Sequence, residues 1–227
     1  MCCTRWRIRG FGNRLPEVKV DVDRCTEVRP HLDHLTDESN LDRIRKEKVL
    51  SCAAGLMKRA RCTDLLRTRR QGHEPIEVEG STVLLRDQKP LLSGNMELTG
   101  GFTFEDFVEA LNARVFFWPG TDEGPILSGR NHFARYAVEL PVMLRCRFQS
   151  LLSANLAAEP LFSMYNSGAP RCTNGRKSPR GPNTFLKACN FPRSPSKVVE
   201  VTFIGRVEIP EDAEFGADPK GPSQALF

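Results

Sequence analysis

One run constrains the fold more than any other. Ala113-Arg114-Val115-Phe116-Phe117-Trp118-Pro119 is apolar and aromatic without alternation. A strand with one face in water alternates, so this run is expected to be a central strand covered on both faces. Its aromatics are contiguous and lack interleaved basic residues, which makes them core rather than a platform for stacked bases. Just before it, Thr103 to Asn112 has the marks of a helix. Thr103 and Asp106 resemble a capping box, with Asp in place of the usual Glu, and Phe104, Phe107, Val108 and Leu111 form the apolar stripe.

A second stretch, His34 to Ser51, is expected to be a strand end carrying a histidine, a polar turn, and a short helix with Leu41 and Ile44 facing inward. Ser39 or Asn40 is the expected N-cap. A turn and helix start beside a histidine offer hydrogen-bond donors to an anion, which suits a nucleotide.

The remaining elements follow from local pattern. Glu17 to Asp23 alternates, with Val18, Val20 and Val22 on one side, and predicts a short half-buried strand. Ser51 to Arg70 predicts a second helix, Glu74 to Gly80 a loop or turn, and Ser81 to Asp87 a strand with Arg86 at or just past its end. An arginine there can give a pyrophosphate two parallel hydrogen bonds. Residues 119–130 are expected to be a Gly/Pro-rich loop. Ala137 to Leu144 predicts a strand ended near Pro141, Leu151 to Ala158 a short helix, and Lys197 to Ile204 a strand with Glu200 at its middle. Residues 1–29 are expected to form a basic arm with an edge strand, 30–210 the main domain, and 211–227 an acidic flexible tail.

The 227 residues suffice for one domain with a sizeable core. No apolar run approaches the eighteen or so residues of a membrane helix, so no membrane partner is expected. The basic N-terminus lacks a following signal-peptide core, and a cytoplasmic location is expected, with the eight cysteines reduced. None of them forms a C-x-x-C pair, and His31 and His34 match no common zinc spacing, so no metal is expected. Cations concentrate in segments 43–70 and 171–197, the second without an acid. They motivate a nucleic-acid partner, DNA or RNA; a solvated basic surface is the alternative.

Taken together, His34-x-Thr36, Asn40-Leu41, Ile44 and Val49-Leu50-Ser51 resemble the opening of DarT-like bacterial ADP-ribosyltransferase domains, and of an uncharacterised bacterial family sharing that beginning. Arg86, the Val115-Phe116-Phe117-Trp118 strand, Asn166-Ser167-Gly168-Ala169 and Val199-Glu200-Val201 follow in the order this resemblance requires. It implies an α+β fold, with an ADP-ribosyltransferase-like split mixed β-sheet and flanking helices. It implies NAD as co-substrate, with His34 on the adenosine-side ribose, Thr36 and Asn40 shaping the cleft, and Arg86 holding a phosphate or organising the catalytic carboxylate. Glu200 would be the catalytic glutamate. Tyr165 or Phe117 would line the nicotinamide pocket, and Asn166 would be a further cofactor-binding residue.

A carboxylate is wanted because breaking the nicotinamide–ribose bond develops positive charge on the sugar, which a fixed anion stabilises. Lys197-Val198-Val199 supply no second carboxylate before Glu200, which argues against the arginine-modifying pattern. The resemblance therefore implies a toxin or defence effector acting on a nucleic-acid base or another macromolecule, with an antitoxin as a further partner. The competing expectation is a non-catalytic nucleic-acid or nucleotide-binding module.

Overall fold

A computed structural model of the chain describes residues 21–227. Its helices are α1 (Val22–Val28), α2 (Leu41–Glu47), α3 (Ala53–Arg59), α4 (Phe104–Asn112), α5 (Leu127–Arg135) and α6 (Phe148–Ala154). Its strands are β1 (His31–Thr36), β2 (Val49–Ser51), β3 (Glu74–Val78), β4 (Ser81–Leu85), β5 (Met96–Leu98), β6 (Arg114–Thr121), β7 (Gly124–Pro125) and β8 (Val142–Arg147). The later ones are β9 (Leu161–Ser163), β10 (Ser178–Arg180), β11 (Leu186–Lys187), β12 (Glu200–Ile204), β13 (Arg206–Glu208), β14 (Glu214–Gly216) and β15 (Gln224–Ala225).

The largest sheet runs β11-β9-β12-β6-β1-β8-β14-β15, with β7 on β6, and its pairings are antiparallel. The class is α+β, as expected. The mixed sheet is not: the parallel pairing among the described residues, β5 with β10, forms a separate two-stranded piece. Parallel neighbours need a crossover back into the same sheet, whereas α4 links β5 of the small piece to β6 of the large one.

Strand β6 is covered on both faces. Val115 and Phe117 enter the main core with Leu32, Leu144, Phe148, Val201 and Phe203. Phe116 points the other way, against the Phe107, Val108 and Leu111 stripe of α4, and Trp118 packs with Leu35, Tyr136 and Met143. Helix α4 begins with the capping box foreseen, Thr103 Oγ1 accepting from Asp106 N–H and the Asp106 carboxylate from Thr103 N–H. Strand β1 pairs with β8 along its whole length but with β6 only through His31, Leu32 and Asp33. Beyond Asp33 the two strands part.

Several local expectations give way to turn chemistry. The helix expected to reach Arg70 stops at Arg59: Arg61 is left-handed at φ 60°, and Cys62 N–H bonds the Met57 carbonyl, a closed helix end. The loop or turn expected from Glu74 to Gly80 is a turn only at Glu79-Gly80; Glu74–Val78 before it is β3, paired with β4, because Glu79 and Gly80 at φ 54° and 79° suit the primed turn that joins twisted strands. Strand β6 runs on through Pro119 and folds back as β7, and α5 takes the last four residues of the expected loop. The strand expected from Ala137 starts only at Val142, after a 3-10 turn and a left-handed Leu140 before Pro141.

The strand expected over Glu17–Asp23 lies mostly outside the described residues. Where it enters them, Asp21 caps α1 and Val22 and Asp23 are helical. The C-terminal segment is not a free tail: β14 pairs with β8, Leu226 is buried, and its N–H bonds the Ala213 carbonyl. Its acidic residues face outward while Ala213 and Leu226 enter the core.

Candidate functional site

A cavity of about 280 Å3 lies where β1 and β6 part. This is near the low end of the roughly 300–1,000 Å3 range of small-molecule sites. His34, Thr36, Asn40, Arg86, Asn166 and Glu200 all contribute to its wall, so segments distant in sequence meet as the reading of the sequence required.

His34 spans the gap left by the parting strands. Its Nδ1 is 2.8 Å from the Phe116 carbonyl oxygen. A carbonyl only accepts, so Nδ1 carries the hydrogen and Nε2 is left as an acceptor. Burial, helped by the Arg86 charge, holds the imidazole below the usual histidine range, so the ring is neutral at pH 7. Asn40 precedes α2 but makes no side-chain cap bond; Asp37 caps the preceding turn through Ser39 N–H. The Asn40 amide instead acts as a strand fragment. Its Oδ1 accepts from Leu84 N–H and its Nδ2 donates to the Leu84 carbonyl, both at 3.0 Å, and Nδ2 also reaches Thr36 Oγ1 at 3.3 Å. This ties the β1 turn to β4, whose end carries Arg86.

Arg86 sits just past β4, as expected. Its guanidinium lies over the Tyr136 ring, 4.1 Å from the centroid, and 3.8 Å from Glu139 Oε2. Its three nitrogens are buried without a hydrogen-bond partner among the described residues. The backbone beneath is fixed, since buried Arg70 donates to the Arg86 carbonyl at 2.8 Å and to Asn112 Oδ1 at 2.9 Å. Tyr136 is held by donating to Asp87 Oδ1 at 2.8 Å. Trp118 Nε1, also on the cavity wall, is a second buried donor without a partner. Arg43 Nε and Arg114 Nε on the same wall are likewise without a partner among the described residues, and leaving buried donors unpaired costs free energy that an acceptor-rich ligand would recover.

Glu200 is the first residue of β12 rather than its middle, and it is buried. Ser167 N–H donates to Oε1 at 3.0 Å and Ser167 Oγ to Oε2 at 2.6 Å. Burial pushes the carboxyl up to about 7, against the opposing pull of the Ser167 bonds and the Arg180 charge. Arg180, buried in β10, donates to the Asn166 carbonyl at 2.9 Å and the Ser167 carbonyl at 3.3 Å, so it fixes the turn that holds the acid.

Two expected wall residues lie elsewhere. The Tyr165 ring stacks on Arg180, 4.5 Å from its guanidinium carbon, behind the turn, while Asn166, Ser167 and Gly168 line the cavity. Phe117 is fully buried in the main core, because alternation along β6 turns its neighbours Phe116 and Trp118 toward the cavity. Ser167, Arg180, Trp118, His132 and Tyr136 had no assigned role in the sequence. Ser167 carried a signal nonetheless, as the hydroxyl inside the Asn166-Ser167-Gly168-Ala169 turn.

Five of the ten cations in the basic segment 43–70 form ion pairs among the described residues, Arg45 with Asp42 among them. Arg43 pairs with Glu47, Arg59 with Glu79, Lys48 with Glu211 and Arg67 with Asp106. Arg69 donates to the Gln88 and Lys89 carbonyls. No helix among the described residues is long and apolar enough to cross a membrane.

Among known families, one described as a family of unknown function, DUF7002, matches residues 30–213. No curated protein and no solved structure matches the chain.

Proposed function

The chain belongs to the DUF7002 family, whose function is unknown, and from its site we propose that it is an NAD-dependent ADP-ribosyltransferase. The proposed acceptor is a nucleic-acid base or another macromolecular group. One observation carries the reading. A buried carboxylate, Glu200, shares a cavity with a neutral histidine acceptor, His34, and with the unpartnered donors of Arg86 and Trp118.

NAD fits that donor set. Its pyrophosphate is rich in acceptors and anionic, which suits the Arg86 guanidinium, whose nitrogens make no hydrogen bond among the described residues, and its ribose hydroxyls can donate to His34 Nε2. Bound NAD would supply the chemistry: the nicotinamide–ribose bond would break with its electron pair on nicotinamide, a lone pair of the acceptor would form the new bond to the ribose carbon, and the acceptor's proton would leave to solvent. The protein's part is electrostatic. Glu200, ionised and held by Ser167, offers fixed negative charge to the sugar as positive charge develops there. Its ionised fraction grows as pH rises through about 7.

A non-catalytic nucleotide-binding module is the second reading. It is favoured by the commitment of both Glu200 oxygens to Ser167. Nicotinamide release from NAD separates the two, measured for the wild type and Glu200→Gln with DNA, RNA and protein mixtures as acceptors. Release that depends on Glu200 and on one acceptor class supports the transferase. Nucleotide binding without release under any of these conditions would replace it with the binding module.

A further inference from the structure

Arg86 is on the cavity wall, yet all three of its guanidinium nitrogens are out of reach of solvent. Two residues of one short segment lie against it. The Tyr136 ring centroid is 4.1 Å from the guanidinium carbon, and Glu139 Oε2 is 3.8 Å from a terminal nitrogen. An anion that is to use the guanidinium must therefore find part of this segment displaced.

The two residues are held differently. Tyr136 is anchored, its hydroxyl donating to Asp87 Oδ1 and its N–H to the Phe133 carbonyl at the end of α5. Glu139 lies on the 3-10 turn that follows, Ala137–Glu139, whose apolar side chains are not packed: Val138 is 91% exposed and Leu140 beyond it 74%. The side-chain anchor of this turn is the Glu139 carboxylate. His73 Nδ1 accepts from Asp87 N–H at 3.1 Å, which leaves the Nε2–H to donate to Glu139 Oε2 at 2.8 Å. The same oxygen faces Arg86.

Backbone strain acts in the other direction. Leu140 is left-handed at φ 52° and ψ 52°, a conformation that a bulky L residue seldom adopts. The residue before a proline is normally pushed to extended backbone, and Pro141 has its own φ fixed. Relaxation of Leu140 to extended backbone swings the turn outward while Tyr136 stays on Asp87.

We infer that residues 137–140 are a gate over Arg86, latched by the Glu139 carboxylate and sprung by Leu140, and that a ligand anion of the pyrophosphate class opens it by replacing Glu139 at the guanidinium. A ligand shifts a two-state element only through contacts it makes in one of the states, and the guanidinium nitrogens are within reach in the open state alone. In the closed state Glu139 stands in for the ligand's negative charge and partly compensates a buried cation. The gate rests on the reading of Arg86 as the anion contact of the site and is independent of the transfer step.

The test is made on the whole protein without NAD. Phenylglyoxal, an arginine-directed dicarbonyl, is added, and modification of each arginine is followed by peptide mass analysis. In the wild type Arg86 should react about tenfold or more slower than exposed Arg61, because it reacts only through local opening. Glu139→Ala should speed the reaction of Arg86 about fivefold or more by raising the open fraction. Leu140→Asn, which tolerates left-handed backbone, should slow it. Glu211→Ala, which removes an exposed carboxylate paired with Lys48, should leave it unchanged. Inorganic pyrophosphate is then titrated by calorimetry. Affinity falls with the fraction of protein that is competent, so Glu139→Ala should bind pyrophosphate about fivefold or more tighter than the wild type and Leu140→Asn more weakly. Equal reaction of Arg86 in the wild type and Glu139→Ala, the same gain in Glu211→Ala, or pyrophosphate binding that is absent or unchanged across the variants would overturn the gate. Faster modification and tighter pyrophosphate binding in Glu139→Ala, with no nicotinamide released from NAD by the wild type, would support the gate and count against the transferase alone.

Discussion

Ser167 holds both oxygens of Glu200, its backbone N–H on Oε1 and its hydroxyl 2.6 Å from Oε2. Both bonds favour the charged carboxylate and oppose burial, which pushes it up to about 7. Ser167→Ala removes the hydroxyl and leaves the amide. A hydrogen bond to a charged group contributes about 1.5–3 kcal/mol, or roughly one to two pH units. The rising limb of nicotinamide release against pH should therefore move up by about one unit or more, with activity at pH 7 falling roughly tenfold and recovering in alkali. An unmoved limb would detach the titration from Glu200.

Glu200 also sets a stability trend that needs no substrate. Its folded pKa lies above the ordinary 4.5, so the folded state holds the proton more tightly. That contribution is present below about pH 4.5 and is lost as pH rises through about 7. Glu200→Gln does not titrate. In urea unfolding the variant should gain on the wild type between pH 5 and pH 8, by an amount on the order of 3 kcal/mol at most, at about 1.4 kcal/mol per unit. A gap between the two proteins that stays constant over this range would contradict the burial of an ionised acid.

Arg86 separates binding from folding. Its guanidinium is buried without hydrogen bonds, desolvation lowers its pKa, and the Glu139 carboxylate at 3.8 Å and the Tyr136 ring compensate its charge only in part. Arg86→Met should leave the melting temperature unchanged or raise it, and on the transferase reading should raise the KM for NAD tenfold or more. A strong loss of stability would show that stacking on Tyr136, 4.1 Å away, outweighs the cost of the partly compensated charge.

Arg145 shows the opposite balance. Its Nε donates to Asp33 Oδ1 at 2.9 Å, and Asp33 is fully buried in β1. Gly120 leaves the space, since a Cβ there would meet Asp33 Oδ2 at 2.7 Å. Burial already raises the Asp33 carboxyl to about 6 against the pull of Arg145. Arg145→Met strands the acid and should cost about 3–5 kcal/mol. The loss should be smaller at pH 5, where Asp33 can take up a proton, than at pH 8. Denaturant unfolding at the two values checks the sign.

What could be read from the sequence was what short segments decide by themselves. The Thr103–Asp106 capping box, the doubly covered strand through Phe117 and the place of Arg86 each depend on a few neighbouring residues. What could not be read depends on partners far away. Asn40 has the residue type of a cap but spends its amide on Leu84, forty-four positions on. Glu200 on a strand suggests an outward carboxylate until Ser167 and Arg180 are brought to it. The acidic 211–227 segment has the composition of a tail, yet the free edge of β8 and a pocket for Leu226 hold it. The β3–β4 hairpin is an intermediate case: Ile76 and Val78 alternate and Glu79-Gly80 turn, but two acids and a proline in β3 obscured the pattern.

The parting of β1 from β6 has one further consequence. Where two strands stay paired, their spacing is set by backbone and is nearly the same in every protein. Here, past Asp33, an imidazole stands in for the missing rung, joining one strand to the Phe116 carbonyl of the other. The width of the opening is thus a property of a side chain, and a single codon can reset it.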